Sequence, residues 1–361
     1  MKLNSPQKEI YARERLTAVQ AQRLAQEIAF GPVVFQVSRL MLKFGILQLL
    51  DNNKKGLSFD EIAKNVEISR YGLQCLLESS LTIGTILLKE ERYFLSKAGW
   101  FLLNDEIARI NLNFNHDVNY LGLYHLEEAI REGKPEGLKV FGNWPTIYEG
   151  LSELPKEAQK SWFDFDHYYS LCSFQEAMKI IFHDGKMTLL DVGGNTGRFA
   201  TECVTHKKDV EVTIMDLPQQ LRLMREATKD VAGNDRIHEL GANLLDPKVS
   251  FPSNYDIIWM SQFLDCFSEE EVVSILSRAA KSMSSQSKLF IMETLWDRQQ
   301  FETASYCLAQ ISIYFTAMAN GNSKMFYSQD LFRYIEQAGL KISQIHDGLG
   351  MGHSLIECTK A

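Results

Sequence analysis

Leu189-Leu190-Asp191-Val192-Gly193-Gly194-Asn195-Thr196-Gly197-Arg198-Phe199-Ala200 decides the fold of this chain. An apolar run ends in an acid, breaks at paired glycines and resumes with helix formers. Gly193 and Gly194 allow the backbone to turn sharply and approach a ligand, and a helix opening near Gly197 presents free N–H groups. The reading is strand, tight loop, helix. About 20 residues past the glycines a second β-rich run, 211–215, leads into Asp216, an acid positioned to accept hydrogen bonds from ribose hydroxyls.

Further β-rich runs follow at 256–260, 288–292, 342–346 and 354–358. Helical patterns fill the gaps at 198–207, 217–228, 269–283, 302–319 and 329–338. Ser268 with Glu271 forms a capping box that fixes the start of one of them. Strand-helix alternation of this kind predicts an α/β domain with a mostly parallel sheet covered on both faces and a ligand at the carboxyl ends of its strands.

Upstream the pattern differs. An apolar stripe over 33–51 (Val37, Leu40, Met41, Phe44, Leu47, Leu50) predicts one helix running into the polar turn Asp51-Asn52-Asn53-Lys54-Lys55-Gly56. Ser58 and Glu61 make a second capping box, Ser69 is placed to cap a helix over 71–82, and 86–95 reads as two short strands joined at Glu90-Glu91-Arg92. Helices followed by a β-wing predict a winged helix. The would-be recognition helix carries one basic residue, Arg70, too little for phosphate positioning or base readout. The apolar surplus of this region suits a partner surface, most simply a second copy of the chain. Between 106 and 186 lies a helical stretch rich in aromatic residues.

Composition narrows the function classes. At 361 residues, with 45% apolar and 23% charged residues, the chain suits two or three globular domains. No apolar run approaches the roughly 20 residues that span a bilayer. The opening MKLNSPQKEIYARERL lacks the apolar core of a secretory signal and reads as the start of a helix, so a cytoplasmic location is expected. Six cysteines without a CxxC pair predict reduced thiols and neither a disulfide framework nor a zinc site. A net charge of -8 offers no field for nucleic acid.

The loop chemistry favours S-adenosylmethionine over a nicotinamide. Asp191 directly before the turn would repel a pyrophosphate but tolerate an ammonium or sulfonium, and the GxGxxG spacing is absent. A third strand region, 241–247, supplies Asn243 and Leu244, a polar and an apolar residue suited to the N6 amine and face of adenine.

These residues carry a resemblance. DVGGNTG at 191–197 followed by Asp216-Leu217-Pro218 at this spacing, together with Leu126-Glu-Glu-Ala-Ile-Arg-Glu-Gly133, Phe141-Gly-Asn-Trp144, Tyr148-Glu149 and Asp246-Pro247, makes the chain similar to dimeric class I O-methyltransferases: the plant caffeate-type and hydroxyindole enzymes and their bacterial small-molecule relatives. The resemblance implies a Rossmann-like domain with a seven-stranded sheet over 187–361, a winged-helix-like dimerisation domain over 1–105 and a helical linker over 106–186 contributing to the acceptor pocket. It also implies a metal-independent enzyme that works as a homodimer on a small-molecule acceptor, with neither nucleic acid nor membrane as partner.

Residue by residue, it implies that Asp191, Gly193, Gly194, Gly197, Asp216, Leu217, Asn243, Leu244 and Ser261 hold the cofactor, Ser261 standing where the family has a lysine. The family's general-base histidine is replaced. Gap-free reading of 256–268 puts Asp265 in its place and Cys266 in place of the following acid. Glu293 matches one supporting glutamate, and Met325 stands for the other. An ordinary aspartate lies about 6 pKa units below a phenol, so proton transfer would be uphill by roughly 8 kcal/mol unless burial among Phe263, Leu264 and Phe267 raises it. His167 is a candidate substitute base, and Phe163, His167, Phe263, Tyr314 and Met318 are candidate walls of the acceptor pocket. The expected reaction is O-methylation of a small aromatic hydroxyl acceptor. The alternatives are C-methylation of a phenolic ring, or a catalytically silent regulator that binds the cofactor.

Overall fold

The computed structural model describes residues 10–361, apart from the side chains of Ser170 and Leu171. The first nine residues of the helix expected at the start therefore lie outside the described residues. The chain divides after Asp117 into two compact units.

In the first unit the helices Ala18–Ala29, Gly31–Lys43, Ile46–Asn52, Phe59–Ala63 and Arg70–Ile83 precede an antiparallel ribbon of β1 (Ile86–Lys89) and β2 (Arg92–Leu95). Ser58 and Ser69 cap their helices through the Glu61 and Gly72 N–H groups. Met41, Ile46, Leu47, Leu50, Ile62 and Leu77 form its buried core. The single helix expected over 33–51 is in fact two, bent by 58°. Gly45 sits between them at φ 69, a left-handed conformation that stops one helix and starts the next. No single helix among the described residues is long and apolar enough to cross a membrane.

The second unit opens with short helices, then the long helix Lys156–Ile181. A seven-stranded sheet follows, built from β3 (Met187–Val192), β4 (Val210–Asp216), β5 (Ile237–Gly241), β6 (Ile257–Ser261), β7 (Lys288–Glu293), β8 (Leu340–Leu349) and β9 (His353–Lys360). The spatial order is β5-β4-β3-β6-β7-β9-β8. β3 through β7 are parallel, and β9 pairs antiparallel with both β7 and β8. Chain order reverses between β3 and β6, so ligands belong at their carboxyl ends. Helices on both faces bury two apolar clusters, one centred on Leu190, Ile258 and Ile291 and the other on Leu189, Val212 and Trp259.

Two expectations change here. The strand β5 was not anticipated: it is an edge strand whose His238 and Glu239 are exposed. The region 241–247, expected as strand, holds only its last residue, Gly241, and then turns.

Beneath the glycine loop Phe199 stacks on Trp259 with ring centroids 4.2 Å apart, tying the first helix of the domain to β6. Phe199→Ala should lower stability by about 3–5 kcal/mol, read from the urea midpoint.

Candidate functional site

The carboxyl edge of the sheet carries a cavity of about 500 Å³. Asp216, Leu217, Asn243 and Leu244 line it beyond β4 and β5, and Phe263, Asp265, Thr294, Tyr314 and Met325 line it beyond β6 and β7.

At the first end, Asp216 is the organising group. One carboxylate oxygen accepts the Asn195 N–H at 2.8 Å and the other the Leu217 N–H at 2.6 Å. Burial raises its carboxyl, and these two donors pull it back. Asn195 accommodates this at φ 51. Gly193, at φ 73, is pressed so closely that a Cβ there would stand 2.2 Å from the Phe263 ring. A Cβ at Gly194 would stand 2.7 Å from the Asp191 carboxylate. The loop is therefore a cradle that only bare backbone fits.

Asp191 is 2% exposed, and one of its carboxylate oxygens has no hydrogen-bond partner. Burial, then the neighbouring Asp216, pushes its pKa up to about 8. Buried acceptors in folded proteins are nearly always satisfied, so this oxygen fits a donor brought by a ligand. The side-chain oxygen of Asn195 is unpartnered in the same way. Asp216, Leu217 and Leu244, in the larger cavity, are the residues that could hold an adenosyl group, and Asp191, in the smaller one beside the loop, the residue that could hold a cation. The Asn243 amide oxygen, expected to receive the adenine amine, already accepts the Leu245 N–H at 3.0 Å.

At the other end, Asp265 is 4% exposed on the turn Leu264–Cys266 that leaves β6. Burial, with Asp166 adding repulsion, raises its pKa to about 7. Among the described residues, its side-chain donor is the Cys266 thiol at 3.6 Å. That thiol also meets the Tyr148 hydroxyl, and burial holds both well above their ordinary range. Trp162 donates to the Tyr314 hydroxyl at 2.7 Å.

Glu293, at 1% exposure, does not line the cavity. One of its oxygens accepts the Phe263 and Leu264 N–H groups at 3.2 and 3.0 Å, fixing the turn that presents Asp265. Its other oxygen is unpartnered, and burial first, then Asp265, raises it strongly.

The remaining expected residues fall elsewhere. Asp191, Gly194, Ser261 and His167 line a second cavity of about 80 Å³ beside the glycine loop. His167 is thus not among the groups facing Asp265 in the larger cavity. Burial, then Arg198, lowers it to about 4, and it stands at 5.5 Å from the Phe163 ring. Phe163 and Gly197 line neither cavity. Met318, expected one turn from Tyr314 on the pocket face, is fully buried instead and lies over Gly122. The helix Glu302–Tyr314 passes into the π-helical turn Phe315–Ala319, so i+4 spacing no longer keeps one face. Asp166 and Asn320, not picked out from sequence, and Tyr148, quoted there only as part of a motif, line the larger cavity, and Asp166 lines the smaller one as well. The helical phase of 162–169 held the signal for Asp166.

Comparison with known proteins identifies the family and the fold. An O-methyltransferase domain matches residues 123–340 and a Dimerisation2-like domain residues 22–93. The L-tyrosine C(3)-methyltransferase of Streptomyces lavendulae is 23% identical over 306 residues, 83% of this chain and 81% of that one. The acetylserotonin O-methyltransferase of Gallus gallus is 26% identical over 223 residues, 56% of this chain and 63% of that one. The S-adenosylmethionine-dependent methyltransferase SibL in its apo form superposes with a TM-score of 0.70 at 19% identity, covering 92% of this chain and 98% of that one.

Asp191 and Asp265 bind protons in the native state up to about pH 8 and 7, against an ordinary value of 3.8. Between these limits the unfolded chain has released protons that the native state keeps. Native stability therefore falls as pH rises through this window, by at most about 1.4 kcal/mol per pH unit for each group. Urea midpoints measured from pH 4.5 to 8 should decline, and Asp191→Asn should flatten the slope.

Proposed function

The chain belongs to the O-methyltransferase family, and from that premise we propose that it moves the methyl group of S-adenosylmethionine to a hydroxyl oxygen of a small aromatic acceptor. The observation that carries the reading is the buried, cavity-facing Asp265 with a pKa near 7, standing along the same sheet edge as Asp216. When bound, S-adenosylmethionine supplies a methyl already activated by its sulfonium.

The protein's part is binding, orientation and the proton. Asp216 grips the sugar hydroxyls while its other lone pairs hold the loop, Leu244 covers the adenine, and Asp191 receives the ammonium. Asp265 accepts the hydroxyl proton. Burial lifts it to about 7, which shrinks the gap to a phenol near 10 to about 3 units, or roughly 4 kcal/mol. Glu293 acts through the backbone by fixing the turn under Asp265. Tyr148, Trp162 and Tyr314 wall the acceptor end and keep water from it.

Transfer to a ring carbon is a second reading. It is favoured by the similarity to a tyrosine C(3)-methyltransferase and uses the same residues, since removing the phenol proton also activates the adjacent carbon. The division of labour we propose is 1–105 for pairing two copies, 106–186 for the acceptor wall and 187–361 for the cofactor, in a cytoplasmic homodimer. In support, the helix Ala18–Ala29 buries none of its residues within the chain, and Val19 and Ile28 are 76% and 70% exposed.

Calorimetry with S-adenosylhomocysteine should show binding that Asp216→Ala weakens at least about tenfold, as loss of a charge-assisted hydrogen bond implies. In a labelled-methyl screen of catechols and hydroxyindoles, Asp265→Asn should cut kcat by about 10²–10⁴. Absence of cofactor binding, or wild-type turnover in Asp265→Asn, would reject the assignment.

A further inference from the structure

The smaller cavity beside the glycine loop gathers unmet polar groups. Asp191 Oδ2, Asn195 Oδ1, His167 Nε2 and Trp259 Nε1 belong to residues that line it, and each is buried without a hydrogen-bond partner among the described residues. Buried polar atoms in folded proteins are nearly always paired, so four orphans around one small space mark a place that a ligand completes. A single trapped water is too little. One water needs about 10–15 Å³ of accessible space, and this cavity offers about 80 Å³.

The fold brings these groups together in a simple way. Asp191 and Trp259 are register partners on β3 and β6, so their side chains leave the sheet on the same face. Asn195 follows on the loop, and Arg198, which also lines the cavity, opens the helix Arg198–His206. The Arg198 side chain is exposed and makes no hydrogen bond or ion pair among the described residues, its charge being felt through space by Asp166 and His167. Its helix starts at Gly197 with no side-chain cap and no acid in the first turn. The open N–H groups of that turn and the guanidinium are both complements to an anion.

The two cavities adjoin. Asp166, Gly193, Asn195 and Gln262 line both, so a ligand seated against Asp216 in the larger one has the smaller one beside it. Acceptors at Asp191 and Asn195 call for a cation, while donors at Arg198 and Trp259 call for an anion. An α-amino acid carries both charges on one carbon. Resting on the methyl-transfer reading above, we infer that Arg198 pairs with the carboxylate of the cofactor's amino-acid end, whose ammonium faces Asp191 and Asn195, and that this pairing makes the carboxylate a condition of tight binding. Arginine suits the task because its planar fork meets a carboxylate with two parallel hydrogen bonds. Burial raises Asp166 to about 6, so near neutrality it sets like charge against that carboxylate, and Arg198 is the group that offsets it. His167, lowered to about 4, is neutral there and adds no competing charge.

The test is calorimetry on the full-length chain near neutral pH with three ligands: S-adenosylhomocysteine, its decarboxylated analogue and its deaminated analogue. The wild-type chain should bind S-adenosylhomocysteine about tenfold or more tightly than the decarboxylated compound. Arg198→Gln should weaken S-adenosylhomocysteine and the deaminated analogue by about that factor and leave the decarboxylated one within about twofold, which also shows that the variant is folded. Arg198→Lys should recover part of the loss. Equal wild-type affinity for the parent and decarboxylated compounds, or an Arg198→Gln effect that is absent or the same for all three ligands, overturns the inference. A wild-type chain that binds none of the three would instead sink the methyl-transfer reading beneath it.

Discussion

The grip of one carboxylate on two backbone loops underlies the rest of the site. Asp216 ends β4 and receives the N–H groups of Asn195 and Leu217, so the loop after β3 and the loop after β4 are held by the same side chain. A parallel sheet brings two strand ends side by side but leaves the following loops free in direction. Here the anion gathers them, and the remaining lone pairs face the cavity. The cradle at Gly193 and Gly194 and the orphaned oxygen of Asp191 have meaning only because this fastening holds the loop in place.

Three buried acids stand along this sheet edge, Asp216 and Asp265 in the larger cavity and Asp191 in the smaller one beside the loop. Asp191, Asp216 and Asp265 are all raised by burial, yet each is answered differently. Asp216 is satisfied by backbone donors. Asp191 has an oxygen without a donor and suits a ligand cation. Asp265 has a weak thiol donor and a pKa in the range of a working base. In the proposed reaction this burial is what fits an aspartate, poorly matched to a phenol in water, to take the phenol proton.

Much of this was legible in the sequence because the signals were local. Glycines after a buried run, an acid at the next strand end and serine caps each have a short-range cause. The edge strand β5 was hidden because exposed His238 and Glu239 erase the apolar pattern of a buried strand. The break at Gly45 was hidden because a lone glycine inside an apolar stripe is usually tolerated. Met318 was misplaced because a π-turn, invisible to a fixed helical period, rotated it away from Tyr314. His167 drew attention as a titratable group, whereas the helix turns its neighbour Asp166, together with Trp162, Phe165 and Tyr169, toward the larger cavity.

The contact between Gly193 and Phe263 couples two otherwise separate tasks. The ring occupies the space that any side chain at 193 would need, and the same ring stands two residues before Asp265. Reshaping the cavity at position 263 therefore alters the packing against the glycine loop, and bulk added at 193 intrudes on the turn that carries Asp265. Diversification toward new acceptors is steered away from this corner and toward other residues that line the chamber, such as Met325 and Ile311.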